Sequence, residues 1–400
     1  MQPITINHPQ YLVIYNGTVL TSDHHVKDGV VVVLNSKILE IGKRGTVEEP
    51  ENAMRIDAGG NFITPGMIDI HVNGAMGSDV TKVTPGSFST MGKFFAMHGV
   101  TSFLATAITS RDEVFIEVLK HVQILMGQKQ SDGAEVLGVH MEGPYLNPMQ
   151  SGAHPRSLLS LPKPNHYLPF LEYSEVLKKM TLAPELDGAT QLVKDLKKRG
   201  IIAAAGHTNG IFKEIMPAID EGISHATHFF CNMSGFRRDN LKRVAGAVET
   251  LLYDDRITGE LIADGWHLDS LLMKLLVKVK GTDRVCFVTD GMPATGLPEG
   301  RYFIGDVEAI VENGIARLPD NSAYAGSVTT MDVCVRNGIS QMGLTFQDSL
   351  RMATLTPAEI IGVSDRKGSI EKNKDADILI MDKDVTILKT IIRGKLTYSI

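Results

Sequence analysis

Eight short apolar runs, separated by longer segments of helical periodicity, limit what this chain can become more than any other feature. The runs are GMIDIHV (66–72), VTSFLAT (100–106), VLGVHME (136–142), KMTLAPE (179–185), IIAAAGH (201–207), SHATHFF (224–230), GELIADG (259–265) and RVCFVTD (284–290). Between them, segments such as PGSFSTMGKFFAMHG and ATQLVKDLKKRG space their apolar residues as helices do. Strand and helix in alternation build a parallel sheet, and eight repeats are the number a closed TIM-like (β/α)₈ barrel requires. An open, doubly wound sheet shows the same alternation but does not gather so many polar strand ends around one point. A barrel does, because its active site stands on the loops that follow the strands.

The two ends of the chain have a different pattern. Residues 11–63 hold short runs, YLVIYNG, TVLTS, DGVVVVLN and SKILEIG, with Asn16-Gly17 and Asn35-Ser36 as turn signals between them. From Gly368 onward β-branched residues again alternate with turn residues. Neither piece is long enough to close a core alone, so the two predict one small β-sandwich subdomain made from both termini. The expected organisation is sandwich (1–63), α/β barrel (64–362) and sandwich again (363–400).

Composition removes several classes of partner. With 43% apolar residues, 22% charged residues and a formal charge of −6, there is no basic surface to follow nucleic acid or an anionic membrane. Small solutes are the expected partners. The three cysteines, Cys231, Cys286 and Cys334, are odd in number and widely spaced, which argues against a disulfide framework and fits a reducing cytoplasm. MQPITINHPQYLVIYNG lacks the basic and apolar regions of a secretion leader, and no apolar run approaches the ~20 residues that span a bilayer.

Four runs close on groups that carry chemistry: Glu142, His207, His228 and Asp290. A carboxylate and two imidazoles from separate strand ends form a site for zinc or a similar divalent ion, with positions left open for water and substrate. Asp290, in front of Gly291, is placed to take a proton from water and return it to a leaving amine. His71 and Asn73 stand two residues apart and so on one side of their strand. Asparagine is a poorer ligand than imidazole, so His71 with a bridging Glu142 offers a second, weaker ion position, or else positions water or substrate. His154 and His267 lie in loop segments, and MPATGLPEG (292–300) reads as a loop over the barrel mouth. No dinucleotide fingerprint, phosphate loop or serine nucleophile elbow occurs.

PGMIDIHVNG, HMEGPYLN, TLAPE, AAGHTNG, SHATHFF, IADGWH, VTDG, MATLTPA and DADILIMD follow one another in an order that resembles the N-acetylglucosamine-6-phosphate deacetylases of the amidohydrolase superfamily. The resemblance runs from about residue 12 to the C-terminus and implies a metal-bearing barrel that cleaves an acetamide to an amino-sugar phosphate and acetate. Carried over by position, Glu142, His207 and His228 are the implied metal ligands and Asp290 the general base and acid. His154, twelve residues past Glu142, is the implied sugar-hydroxyl contact, and His267 the group that polarises the amide carbonyl. At the first strand the family has HxH with two ions or QxN with one; HVN here is a hybrid, leaving the ion count open. After the second histidine the family reads HLFNAM or HLYNAM, its asparagine holding phosphate, whereas this chain reads HFFCNM. Cys231 takes the asparagine position and Asn232 is shifted by one. The arginine that completes the phosphate clamp crosses a dimer interface in the family, and Arg237, Arg238 and Arg243 are the candidates here.

The sequence therefore predicts a metal-dependent hydrolase of N-acetylglucosamine 6-phosphate, acting as a homodimer on a small amino sugar, with zinc, iron or manganese as the ion. Deacetylation of another N-acetyl amino sugar, a galacto epimer or a non-phosphorylated one, uses the same groups. A cyclic-amide hydrolase is the other enzymatic alternative, but its strand-four lysine has only Lys178 and Lys179 as counterparts, at the start of the run. A non-catalytic binding protein would have little reason to keep all the ligands and Asp290.

Overall fold

The computed structural model describes residues 10–22, 24–128 and 133–400. Residues 1–9, part of the stretch that reads against a leader, lie outside them. All eight expected runs form strands: β1 (Met67–Val72), β2 (Val100–Ile108), β3 (Glu135–Glu142), β4 (Leu177–Leu182), β5 (Ile202–Ala205), β6 (Ile223–Ala226), β7 (Thr258–Ile262) and β8 (Val285–Val288). They pair in sequence order, every pair parallel. The barrel closes between its first and last strands. The Asp290 N–H donates to the His71 carbonyl (2.9 Å), Asn73 N–H donates to the Gly291 carbonyl (2.7 Å), and Thr289 Oγ1 donates to the buried Asp69 carboxylate (2.5 Å).

The helices between strands show why the pattern was readable. In Ala189–Lys198, Leu192, Val193 and Leu196 are buried on one face, while Lys197 and Lys198 are exposed at the carbonyl end, where the helix dipole favours cations. The strands depart from expectation at their C-terminal ends. The fifth, sixth and eighth runs were expected to continue through His207, Phe230 and Asp290, yet β5, β6 and β8 stop at Ala205, Ala226 and Val288. The cause is local: His207 (φ 47°), His228 (φ 26°) and Asp290 (φ 48°) take left-handed backbone angles that a strand ladder does not hold.

Strands from both termini form one eight-stranded mixed sheet, with Phe62–Pro65 parallel to Tyr11–Leu20 on one side and antiparallel to Ile378–Met381 on the other. Ile14, Val31 and Ile38 share one apolar cluster with Ile378 and Ile391, and Ile38 N–H donates to the Lys374 carbonyl (2.9 Å), so the sheet folds over onto itself. Asn16-Gly17 is not the turn the sequence suggested. Strand Tyr11–Leu20 runs through it with an irregular register, Asn16 at φ 59° and Gly17 so tightly packed that a Cβ would meet the Asn61 oxygen at 2.7 Å. Beyond β8, Gly300–Ile304, Val307–Glu312 and Ile315–Arg317 form a small antiparallel sheet whose Ile304 and Ala309 pack with Ile108 and Met292, roofing one side of the mouth. Among the described residues no helix is long and apolar enough to cross a membrane.

Candidate active site

Glu142 ends β3, and His207, His228 and Asp290 stand just beyond β5, β6 and β8 on their left-handed residues. Such a backbone costs on the order of 1–3 kcal/mol per residue and persists only where neighbours hold it. Here they do. Asn147 N–H donates to the His207 carbonyl (2.9 Å), the His228 N–H donates to Glu260 (3.1 Å), and the Asp290 N–H is fixed on His71. The strain turns three side chains inward to one buried point.

Glu142 Oε1 lies 3.2 Å from His207 Nε2 and 3.0 Å from His228 Nε2, and the two imidazole nitrogens are 3.1 Å apart. His207 Nδ1 is 2.7 Å from the Gln150 carbonyl, which can only accept, so Nδ1 carries the proton and Nε2 presents a lone pair to the triangle. Burial, with His154 nearby, pushes the His207 pKa down to about 4 and keeps the ring neutral. Burial alone would raise the Glu142 pKa, but His71 and His154 hold its carboxyl well below the usual range. His154 is close by: its Nε2 is 3.4 Å from Glu142 Oε2 and its Nδ1 2.8 Å from Thr109 Oγ1. Glu142, His154 and His207 also offer ligand atoms within 4.8 Å of one another, a looser set than the triangle through His228.

Asp290 faces this group from the closing strand. Its pKa is raised by burial, and its Oδ1 accepts from Asn73 Nδ2 at 2.8 Å. Asn73, considered in the sequence as a poor metal ligand, therefore holds the aspartate. His71 Nε2 lies 3.3 Å from Asp290 Oδ1 and 3.4 Å from Glu142 Oε2 without an aligned hydrogen bond. Burial opposes a charged His71, yet Glu142, Asp290 and Glu260 together push its pKa well above the ordinary range. On the far side, His267 Nδ1 sits 2.7 Å from Asp264 Oδ2, which leaves Nε2 as its free nitrogen. Burial would raise the Asp264 pKa, but the hydrogen bond with His267 holds it low, so this aspartate orients the histidine.

Asn73, Glu142, His154, His207, His228, His267 and Asp290 line a cavity of about 230 Å³, with His71 and Asp264 behind its wall. Cys231 and Asn232 form part of its wall, the thiol near Ile262 and the amide against Gly152. Asn232 lies at φ 51°, so its side chain still reaches the cavity from the shifted position. Arg238 and Arg243 do not line it within this chain; they pair across an exposed hairpin, Arg237–Asp239 with Lys242–Val244, whose Arg237 caps the Asn209 carbonyl at 3.0 Å. No lysine or arginine of the described residues lines the cavity.

Residues 62–397 match the family model of the amidohydrolase family. The N-acetylglucosamine-6-phosphate deacetylase of Bacillus subtilis is 32% identical over 393 residues, covering 97% of each chain. The chain belongs to the N-acetylglucosamine-6-phosphate deacetylase family of amidohydrolases. The crystal structure of the Pasteurella multocida deacetylase superposes with a TM-score of 0.90 at 30% identity, over 96% of this chain and 99% of that one. A mutant Mycobacterium smegmatis deacetylase, solved in complex with N-acetyl-D-glucosamine-6-phosphate, matches with a TM-score of 0.88 at 26% identity, over 98% of this chain and all of that one.

Sequence reasoning missed the polar layer beneath this amidohydrolase site, weighing Lys179 in it only as the counterpart of a strand-four lysine. Asp69, His140, Lys179, His225 and Glu260 are all buried inside the barrel. His140 bridges Thr106 Oγ1 (3.1 Å) and Thr181 Oγ1 (2.7 Å), and Lys179 pairs with Glu260 while donating to the Ile70 carbonyl (3.0 Å). The signal was present: Asp69 and His140 precede His71 and Glu142 by two residues, and strand residues two apart face the same side.

Proposed function

We propose that the chain hydrolyses the acetamide of N-acetylglucosamine 6-phosphate to glucosamine 6-phosphate and acetate, with one divalent ion held by Glu142, His207 and His228. The observation that carries this reading is their triangle of electron-rich atoms, 3.0–3.2 Å on each side. Ligands at ~2.0–2.1 Å around a tetrahedral zinc ion stand about 3.3 Å apart, so the residues fit the ion; iron and manganese accept the same donors. When bound, such an ion supplies Lewis acidity toward the acetamide and toward water.

The chain's own groups do the rest. Asp290, held by Asn73, takes a proton from the attacking water and delivers it to the departing amine. His267, anchored on Asp264 through Nδ1–H, donates an Nε2–H to the carbonyl oxygen as negative charge develops there. His154 meets a sugar hydroxyl. His71 Nε2, with Glu142 Oε2 and Asp290 Oδ1 beside it, provides the place for a second, weaker ion. Because no lysine or arginine of the described residues lines the cavity, a phosphate there draws on the Asn232 amide and on a second copy of the chain, whose hairpin would bring Arg238 or Arg243. The active form is accordingly a homodimer, and three free cysteines suit a reducing cytoplasm.

One observation favours a second reading: Cys231 places a thiol where phosphate recognition in the family uses an amide, which suits another N-acetyl amino sugar, non-phosphorylated or of galacto configuration. Initial rates of acetate release from N-acetylglucosamine 6-phosphate, N-acetylglucosamine and the galacto 6-phosphate separate the two. The expected result is a preference above about a hundredfold in kcat/KM for the first substrate over the non-phosphorylated sugar. Equal rates would support the second reading, and no acetate from any of them would reject both.

A further inference from the structure

Glu260 lies in the middle of β7, one layer below the cavity, and is fully buried. A carboxylate has about four acceptor positions. All four are in use: Oε1 meets Lys179 Nζ and His225 Nε2 (3.1 Å), and Oε2 meets His71 Nδ1 (2.8 Å) and the backbone N–H of His228 (3.1 Å). Burial would raise its pKa, but Lys179 and His71 reverse this and hold the group well below the carboxylate range. Lys179 is itself fixed on the Ile70 carbonyl, so the countercharge cannot move away.

We propose that Glu260 is a positioning residue: its Oε2 accepts the His71 Nδ1–H and so turns Nε2 toward Glu142 and Asp290, and the same oxygen pins the strained His228 backbone. One oxygen thus sets two histidines of the site, which face the two oxygens of Glu142, His71 Nε2 at 3.4 Å from Oε2 and His228 Nε2 at 3.0 Å from Oε1. His71 and His228 are reached through different atoms, a ring nitrogen and a main-chain amide. Lys179 holds the carboxylate as an anion, and His225, tied to Thr258 Oγ1 at 2.7 Å, holds its other edge without touching the cavity.

Glu260→Gln tests this directly. The ammonium of Lys179 requires the amide oxygen on its side, which turns the amide N–H₂ toward His71 Nδ1. A donor there needs an acceptor, so Nδ1 gives up its proton and the ring keeps one only on Nε2. The readout is the ¹⁵N spectrum of histidine-labelled, metal-free protein, with His71→Asn identifying the resonance. In the wild type, His71 Nδ1 is expected to be protonated; in Glu260→Gln it becomes the unprotonated nitrogen. A wild-type His71 with bare Nδ1 overturns the proposal even if the variant does not fold, and so does a folded Glu260→Gln that leaves the proton in place.

The kinetic arm rests on the deacetylase reading. There Glu260→Gln should lower kcat for acetate release by roughly ten- to a hundredfold with little change in KM, as the loss of a group that orients a ligand does. His225→Asn, which weakens the same buried layer from the side away from the site, should leave the His71 resonance unmoved. If His225→Asn shifts that resonance as much as Glu260→Gln does, the layer acts only as packing and the proposal fails. A wild type that releases no acetate defeats the deacetylase reading, while the spectrum still decides the role of Glu260.

Discussion

At the seam between the barrel and the terminal sheet, buried carboxylates meet permanent cations; at the barrel mouth they meet imidazoles and the Asn73 amide. Lys367 lies against Asp377, Glu135 (2.8 Å) and Asp375 (3.3 Å), Arg366 reaches Glu135 (2.6 Å) and Asp375 (3.2 Å), and Lys37 adds a contact to Asp375 (2.8 Å). Three carboxylates there face three cations, and the chain balances its own charge. At the seam, the two carboxylate oxygens without a hydrogen-bond partner, Glu135 Oε2 and Asp375 Oδ2, lie 2.8 Å and 3.3 Å from the Lys367 ammonium. At the mouth, Glu142 and Asp290 face His71, His207 and His228, and His71 Nε2 and His228 Nδ1 are buried with neither a hydrogen bond nor a permanent cation beside them. A folded chain leaves such atoms unpaired at a cost, and tolerates it mainly where something from outside completes the set. The seam joins two parts of the structure; the mouth has room for an ion and a substrate.

If that contrast is right, variants in the two places should fail in different ways. Asp290→Asn keeps shape and size but cannot carry the proton, so kcat for acetate release should fall by about 10²–10⁴-fold while the protein still binds metal and melts near the wild type. Retention of more than a tenth of the wild-type kcat would remove Asp290 from the proton path. Lys367→Met should do the reverse. It strands the buried Asp377 and takes one cation from Glu135 and Asp375, and urea unfolding should show a loss of roughly 3–5 kcal/mol with kcat per folded molecule unchanged. A seam variant that unfolds normally but loses turnover would erase the distinction.

Much of this was legible in the sequence because the period of the apolar pattern is a local property. Eight runs and the helices between them fixed the barrel, and Glu142, His207, His228 and Asp290 were visible because each follows an apolar run. What could not be read was geometry that depends on closure. The left-handed turns at His207, His228 and Asp290 shorten their strands by a few residues, and no propensity of histidine or aspartate announces them. Asn73 was read as a weak ligand, but only the junction of the first and last strands shows that it holds Asp290. Glu260 and Lys179 sit 81 residues apart in sequence and become partners only when β4 and β7 face each other across the interior. Asn16-Gly17 misled for a related reason, since the pair that favours a hairpin turn also suits a bulge within one strand.

The most direct test is a metal analysis of the purified wild type beside His228→Ala and His154→Ala. A tightly held divalent ion in the wild type and in His154→Ala, with affinity lost by a hundredfold or more in His228→Ala, is the predicted result. Retention of the ion in His228→Ala together with its loss from His154→Ala would contradict it, moving the ion to the looser set of Glu142, His154 and His207.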